Sequence, residues 1–133
     1  MAQYPGFLEP DNNMKTAFFR YDFSKDGGAV GTISLDEQLP AGALVRSGIL
    51  HVTTAVTSGG SATVALHVNS SEDILAATGK ASLTLNALLD VVPVGTAATA
   101  IRCTANKGLS VVIGTAALTA GAFTVALDYV ITG

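Results

Sequence analysis

Residues Leu44 to Val68 read LVRSGILHVTTAV, then TSGGSA, then TVALHV. Two runs rich in β-branched residues flank a Ser/Gly cluster, the composition of two antiparallel strands joined by a hairpin loop. Side chains alternate along a strand, so Leu50, Val52, Thr54 and Val56 share one side of the first run. Val64, Leu66 and Val68 share one side of the second. Those rows are expected to face one core at the centre of a sheet. His51, Thr53, Thr63, Ala65 and His67 fall on the other side, which is polar or small but uncharged. If the two runs pair, His51, Thr53, Thr63 and His67 form one face open to a partner.

Working outward, MKTAFFRYDF (14–23) is the densest aromatic stretch and reads as the first strand. Phe19, Tyr21 and Phe23 lie on one side and Phe18, Arg20 and Asp22 on the other. Apolar bulk on both sides means a strand covered twice, by the core and by something else. SKDGG turns the chain, AVGTISL follows as a strand, and LPAGA turns it again into the central run. After Val68, Asp73 to Thr78 reads as a short helical turn with Ser71 as its cap. ASLTLN alternates like a strand, LLDVVPV reads as an edge strand because Pro93 lacks a donor, and TAATAIRCTA gives one more strand. LSVVIGT is a strand, ALTAGA a turn, and Phe123 to Thr132 a final strand with Phe123, Val125, Leu127, Tyr129 and Ile131 on one side. Eight or more short strands with Gly-rich turns predict an all-β antiparallel sandwich, jelly-roll-like, over residues 14–133.

Residues 1–13 differ from the rest. Pro5, Gly6, Pro10, Asp11, Asn12 and Asn13 break regular structure, yet Tyr4, Phe7 and Leu8 are apolar. Two readings stand: a frayed terminus, or an extended N-terminal arm that orders against a neighbour through Tyr4, Pro5, Phe7 and Leu8.

The chain has 133 residues, enough to bury roughly two thirds of the surface its unfolded form exposes. Only 13% of residues are charged, about half the usual share of roughly 25%. Ala, Thr, Ser and Gly take their place. Such a skin describes either a small-residue β domain or one whose surface is largely covered in an oligomer. A net charge of −3 is the wrong sign for phosphate neutralisation, which argues against nucleic acid. The first ten residues lack the basic-then-apolar order of a secretory signal, so synthesis and folding are expected in a cytoplasm. No apolar run approaches the roughly 18 residues that cross a bilayer, and no membrane partner is expected.

Chemical motifs fail one by one. GGAVGT (27–32) has a phosphate loop's glycines without its lysine or helix, and Gly79-Lys80 is followed by Ala81 where Ser or Thr is required. Asn69-Ser70-Ser71 matches a glycosylation acceptor but reads as a loop. Two histidines without clustered cysteines or carboxylates are too few for zinc, and Cys103, the lone cysteine in TAIRCTA, reads as a small buried hydrophobe. No G-x-S-x-G elbow appears, and scattered carboxylates without Trp do not describe a glycosidase. No enzyme activity, cofactor or metal is expected.

The blocks MKTAFFRYDF, GGAVGTISL, LPAGALV, TSGGSATVAL, DILAAT, PVGTAATAIRCTA and ALTAGAFTVALDYV together resemble small virion proteins of tailed bacteriophages, in particular capsid decoration (cement) proteins. The resemblance covers residues 14–133. It implies a chain that binds the exterior of an assembled, expanded head and ties major capsid protein subunits together, commonly as a homotrimer at local three-fold positions. It carries over no individual site residues. Two other classes remain open: a phage tail, fibre-base or receptor-contacting β module, and a carbohydrate-binding sandwich, although the latter normally stacks sugars on exposed Trp or Tyr.

Overall fold

The computed structural model describes residues 14–132. The proposed arm, 1–13, lies outside the described residues. Among the described residues there are nine strands: β1 (Lys15–Asp22), β2 (Gly31–Leu39), β3 (Ala43–Ser58), β4 (Thr63–His67), β5 (Leu75–Gly79), β6 (Leu88–Asp90), β7 (Ile101–Arg102), β8 (Lys107–Gly114) and β9 (Leu118–Ile131). They form two antiparallel sheets. The first has the order β1-β9-β3-β6, with β7 also paired to β3, and the second has the order β2-β8-β4-β5. Sequence neighbours mostly sit in opposite sheets while distant strands pair within each, which is the jelly-roll arrangement. The expected sandwich is therefore found.

The core lies between the sheets. Phe19, Tyr21, Val45, Leu50, Val52, Phe123, Val125 and Leu127 point inward from the first sheet, and Leu39, Val64, Leu66, Leu109, Val111 and Ile113 from the second. Tyr21 stacks on Phe123 with ring centroids 5.1 Å apart, and its hydroxyl donates to the Gly27 carbonyl at 2.6 Å. Burial, reinforced by the nearby Asp26 and Asp22 carboxylates, pushes the Tyr21 phenol up to about 12. After β1 the chain makes one helical turn, α1 (Phe23–Asp26), capped by Asp22, which accepts from the Ser24 backbone N–H at 3.0 Å and the Ser24 hydroxyl at 2.8 Å. Those two bonds hold the Asp22 carboxyl below the usual carboxylate range.

Several local expectations are corrected. The central hairpin does not form: β3 belongs to one sheet and β4 to the other, so TSGGSA carries the chain across the sandwich. Apolar rows at Leu50, Val52, Val64 and Leu66 do face one core, but across the core and not side by side. Thr54 is exposed, because register shifts on both sides of it break the alternation.

The expected helical turn at Asp73–Thr78 is instead a loop and β5. Asp73 directs its carboxylate backwards, accepting from Val68 N–H at 2.8 Å and from Asn69 and Ser70 N–H at 2.9 Å each. It closes the loop behind it, and the chain ahead of it extends into β5. ASLTLN forms a 3-10 turn at Lys80–Ser82 and a further bend, with Leu83 buried and Leu85 exposed. Within TAATAIRCTA only Ile101–Arg102 pairs as a strand. LLDVVPV does give an edge strand, reduced to the three residues of β6.

ALTAGA is the start of β9 and not a turn. Gly121, at φ +145°, lies so close to Val56 that a Cβ there would sit 2.9 Å from Val56 Cγ2. This glycine admits close approach of two paired strands, and the strand runs on through it.

Candidate interaction surface

On the first sheet the register aligns the outward side chains in rows. Thr16, Asp128 and Ser47 form one row; Phe18, Ala126, Ile49 and Asp90 the next; Arg20, Thr124, His51 and Leu88 the third. Phe18 is 63% exposed, Ile49 49% and Leu88 70%. Soluble surfaces tolerate isolated apolar residues, but several large ones exposed on one sheet face suit a surface that a partner covers. The middle strand contributes only Ala122, Thr124 and Ala126, so a groove with a small-residue floor runs along β9 between Phe18 and Ile49.

One polar feature fixes the end of this groove. Asp128 accepts from the Thr16 hydroxyl at 3.0 Å and the Ser47 hydroxyl at 3.1 Å, tying β1, β9 and β3 together. Beside it opens a cleft of about 340 Å³ lined by Ser47, Ile49, Asp90, Pro93, Val94 and Asp128. Val94 is itself 60% exposed, which extends the apolar surface beyond the sheet.

The outer face of the second sheet is different. Its rows pair Ser34 with Ser110 and His67, and Thr32 with Val112 and Ala65, while Thr63 sits beside Gly114 and Gly79. No charged side chain appears in those rows and none is large except His67.

These placements divide the residues expected to share a face. His51 and Thr53 lie on β3 in the first sheet, and Thr63 and His67 on β4 in the second. The structure brings neither histidine to the other. Tyr4, Pro5, Phe7 and Leu8 fall outside the described residues. Sequence reasoning missed the Phe18–Ala126–Ile49 row as a site. Its signal was present in the apolar bulk on both sides of β1, but the row needs the β1-β9-β3 register, which no local pattern carries.

Among the described residues no group of three or more His, Cys, Asp or Glu is placed to hold a metal ion. Cys103 is buried, and burial pushes its thiol up, away from the thiolate that reacts. Its backbone extends the β7 pairing, with Cys103 N–H donating to Ala43 at 2.8 Å and Gly42 N–H donating to Cys103 at 2.7 Å. No helix among the described residues is long and apolar enough to cross a membrane.

No family model matches the chain, and no curated protein matches it. Solved structures do. A chain of the cyanophage Pam1 capsid asymmetric unit superposes with a TM-score of 0.66 at 18% identity, over 94% of this chain and 89% of that one. A chain of the Ralstonia phage GP4 capsid gives 0.65 at 17% identity, over 96% and 89%. A chain of the acid-stable capsid of Helicobacter pylori bacteriophage KHP30 gives 0.62 at 16% identity, over 90% and 89%. The fold is shared with these three chains almost end to end, so they are chains of comparable length.

Proposed function

We propose that the chain is a bacteriophage capsid decoration, or cement, protein that coats the exterior of the assembled head and stabilises contacts between major capsid protein subunits. The observation that carries this reading is the near end-to-end fold match to chains of three phage capsid structures. A structural role also fits a surface short of charge and an outer sheet face bearing Phe18, Ile49 and Leu88.

The shell-facing surface in this reading is the outer face of the first sheet, with His51 and Thr53, together with the arm residues Tyr4, Pro5, Phe7 and Leu8. Thr63 and His67 turn away from it on the opposite sheet. The mechanism is linkage: a protein that binds the expanded lattice and not its dissociated subunits stabilises the lattice by its binding free energy at every site. Many modest contacts, repeated over a shell and within a homotrimer, add through multivalency.

The test is direct. Purified chain is added to expanded heads that lack it, and binding is read by co-sedimentation and by the temperature at which heads release their contents. Saturable binding at a fixed ratio to coat protein, with a raised release temperature, is expected. Absence of binding overturns the proposal. Sedimentation equilibrium of the free chain tests the trimer separately.

A further inference from the structure

The two sheets treat their edges differently. On the second sheet, β2 carries a register shift between Ser34 and Gln38 with Asp36 and Glu37 set in it, and a charged bulge of that kind turns an edge away from pairing. At β5, Glu72 accepts from the Ala77 N–H at 3.4 Å and the Thr78 hydroxyl donates to the Ala76 carbonyl at 2.8 Å, so local side chains occupy the backbone there. The first sheet is open at both edges. On β1, Asp22 N–H turns away from β9 and donates to the Asp26 carboxylate at 3.0 Å. Alternation then points the N–H and C=O of Thr16, Phe18 and Arg20 the same way, out of the sheet. On β6's side, Val52 N–H donates to the Ala87 carbonyl at 2.9 Å and Val91 N–H to the Gly48 carbonyl at 3.4 Å. Leu89, between them, faces β3 in turn, which leaves the backbone groups of Leu88 and Asp90 pointing outward. Among the described residues nothing takes these outward groups.

The same two edges carry complementary charges. Arg20 stands exposed on β1 and Asp90 exposed on β6, both on the outer face, and neither is hydrogen-bonded or ion-paired among the described residues. Asp22 feels the Arg20 charge, but it accepts its hydrogen bonds from Ser24. Within one chain Arg20 and Asp90 are three strand spacings apart, about 14 Å, beyond the screening length of about 8 Å at physiological ionic strength. Between copies they can meet. Antiparallel steps from β1 to β9, β3 and β6 leave the two edge strands running in opposite directions. A second copy rotated about an axis parallel to the strands therefore lays its β1 antiparallel along β6. Leu88 and Asp90 each offer an N–H and a C=O, as do Phe18 and Arg20 of the next copy, and pairing Leu88 with Arg20 and Asp90 with Phe18 satisfies them all. Arg20 then stands one diagonal step from Asp90 and Phe18 one from Leu88, about 7–8 Å, which long and aromatic side chains span. A two-fold contact of β1 on β1 would instead set Phe18 against Phe18 and leave Asp90 unpaired.

We propose that copies of this chain associate head to tail through the first sheet, the β1 edge of one joined to the β6 edge of the next, with Arg20 paired to Asp90 across the junction. Each copy keeps one edge of each kind, so the contact repeats and closes into a ring where the rotation allows. It supplies the contact inside the homotrimer of the proposed function and rests on that reading for the number of copies alone.

Sedimentation of the full-length free chain over a concentration series reads the contact, and the native chain is expected to self-associate. Arg20→Asp and Asp90→Arg each set like charges together at the junction, and each is expected to weaken association at least about tenfold. The R20D/D90R chain exchanges the two charges and is expected to regain native association to within about threefold. Both positions are exposed and too far apart to couple within one chain, so restoration belongs to a contact between copies. Should the charge variants fold poorly, Phe18→Cys with Asp90→Cys in one chain decides. Mild oxidation is expected to join position 18 of one copy to position 90 of the next, identified by mass spectrometry of the digest, while the buried Cys103 stays out of the reaction. A native chain that is monomeric throughout overturns the proposal, as does an exchanged-charge chain that associates no more tightly than the single variants. Disulfides joining position 18 to position 18 also overturn it, since they place β1 on β1. Because no head is present, failure here leaves the coating test untouched, and failure to coat leaves these results untouched.

Discussion

The two outer faces of the sandwich rest on the same core and obey the same alternation, yet they carry opposite kinds of side chain. The first sheet presents Phe18, Ile49 and Leu88 with Arg20, Asp90 and Asp128 set among them. The second presents Ser34, Ser110, Thr32, Val112, Thr63 and His67. A face of small neutral residues loses little when covered and gains little. The first face is better suited to a specific interface, because large apolar groups supply the free energy of burial and charges at fixed positions set the register. What differs between the faces is bulk at a few outward positions, and that bulk lies outside the buried core.

The largest effect is expected where both faces share support. Phe123→Ala removes a buried ring that stacks on Tyr21 and is expected to cost about 3–5 kcal/mol, measured by urea unfolding. A cost below about 1 kcal/mol would mean that the common core does not hold the sheets as described.

Tyr21 offers a titration of the same contact. Its folded-state value, pushed up to about 12, lies above the unfolded value near 10, so the folded state holds the phenolic proton more tightly. Stability from this group is fully present below pH ~10 and is lost as pH rises through about 12. Tyr21→Phe is expected to remove this alkaline slope. Unfolding curves at stepped alkaline pH decide it, and an identical slope in the variant assigns the loss elsewhere.

Beneath the first face, Gly48 marks how closely β3 and β9 approach. A Cβ there would meet the Ala126 carbonyl oxygen at 2.6 Å and Leu127 Cδ2 at 2.8 Å. Gly48→Ala is expected to destabilise by about 1–3 kcal/mol, since one of the colliding atoms is backbone. A neutral result would show that the two strands part easily and that the groove floor is not rigid. A smaller effect is expected at the groove's end: Asp128→Ala deletes the acceptor for Thr16 and Ser47, and at a partly exposed site this costs about 1 kcal/mol. Thr16→Val with Ser47→Ala in the D128A background would then add little, and full additivity would deny the three-strand tie.

Much of the architecture was legible in the sequence. Alternation in Phe123–Thr132 and β-branched runs at 44–56, 63–68 and 109–115 locate strands and their inward rows, because burial is a property of each strand by itself. Which strands pair is another matter. TSGGSA satisfies a hairpin and a crossing between sheets equally well, and only the competition of β8 and β9 for β4 and β3 decides. Asp73 shows the same limit at shorter range: an acidic residue ahead of Ile-Leu-Ala-Ala serves a helix or the loop behind it, and here it binds the N–H groups behind. The candidate surface suffered most from this. His51 and His67 were joined by an assumed pairing, whereas Phe18 and Ile49, more than thirty residues apart, meet only through β9.

The smallest effect on stability is expected where the two faces themselves are compared. Phe18→Ser with Ile49→Ser on the first sheet, and Thr63→Ala with His67→Ala on the second, change exposed or half-exposed side chains and should each shift unfolding by no more than about 0.5 kcal/mol per site. Their effects on coating should differ. Truncating the apolar residues at the centre of an interface commonly costs 1–2 kcal/mol or more, so the first pair is expected to weaken binding to expanded heads by at least about tenfold. The second pair should change it less than about twofold. Loss confined to the second pair would move the contact to the small neutral face and reverse the comparison. Equal loss from both would mean that the chain is gripped on two sides, as expected of a protein wedged between neighbours and not of one lying on a shell by a single face.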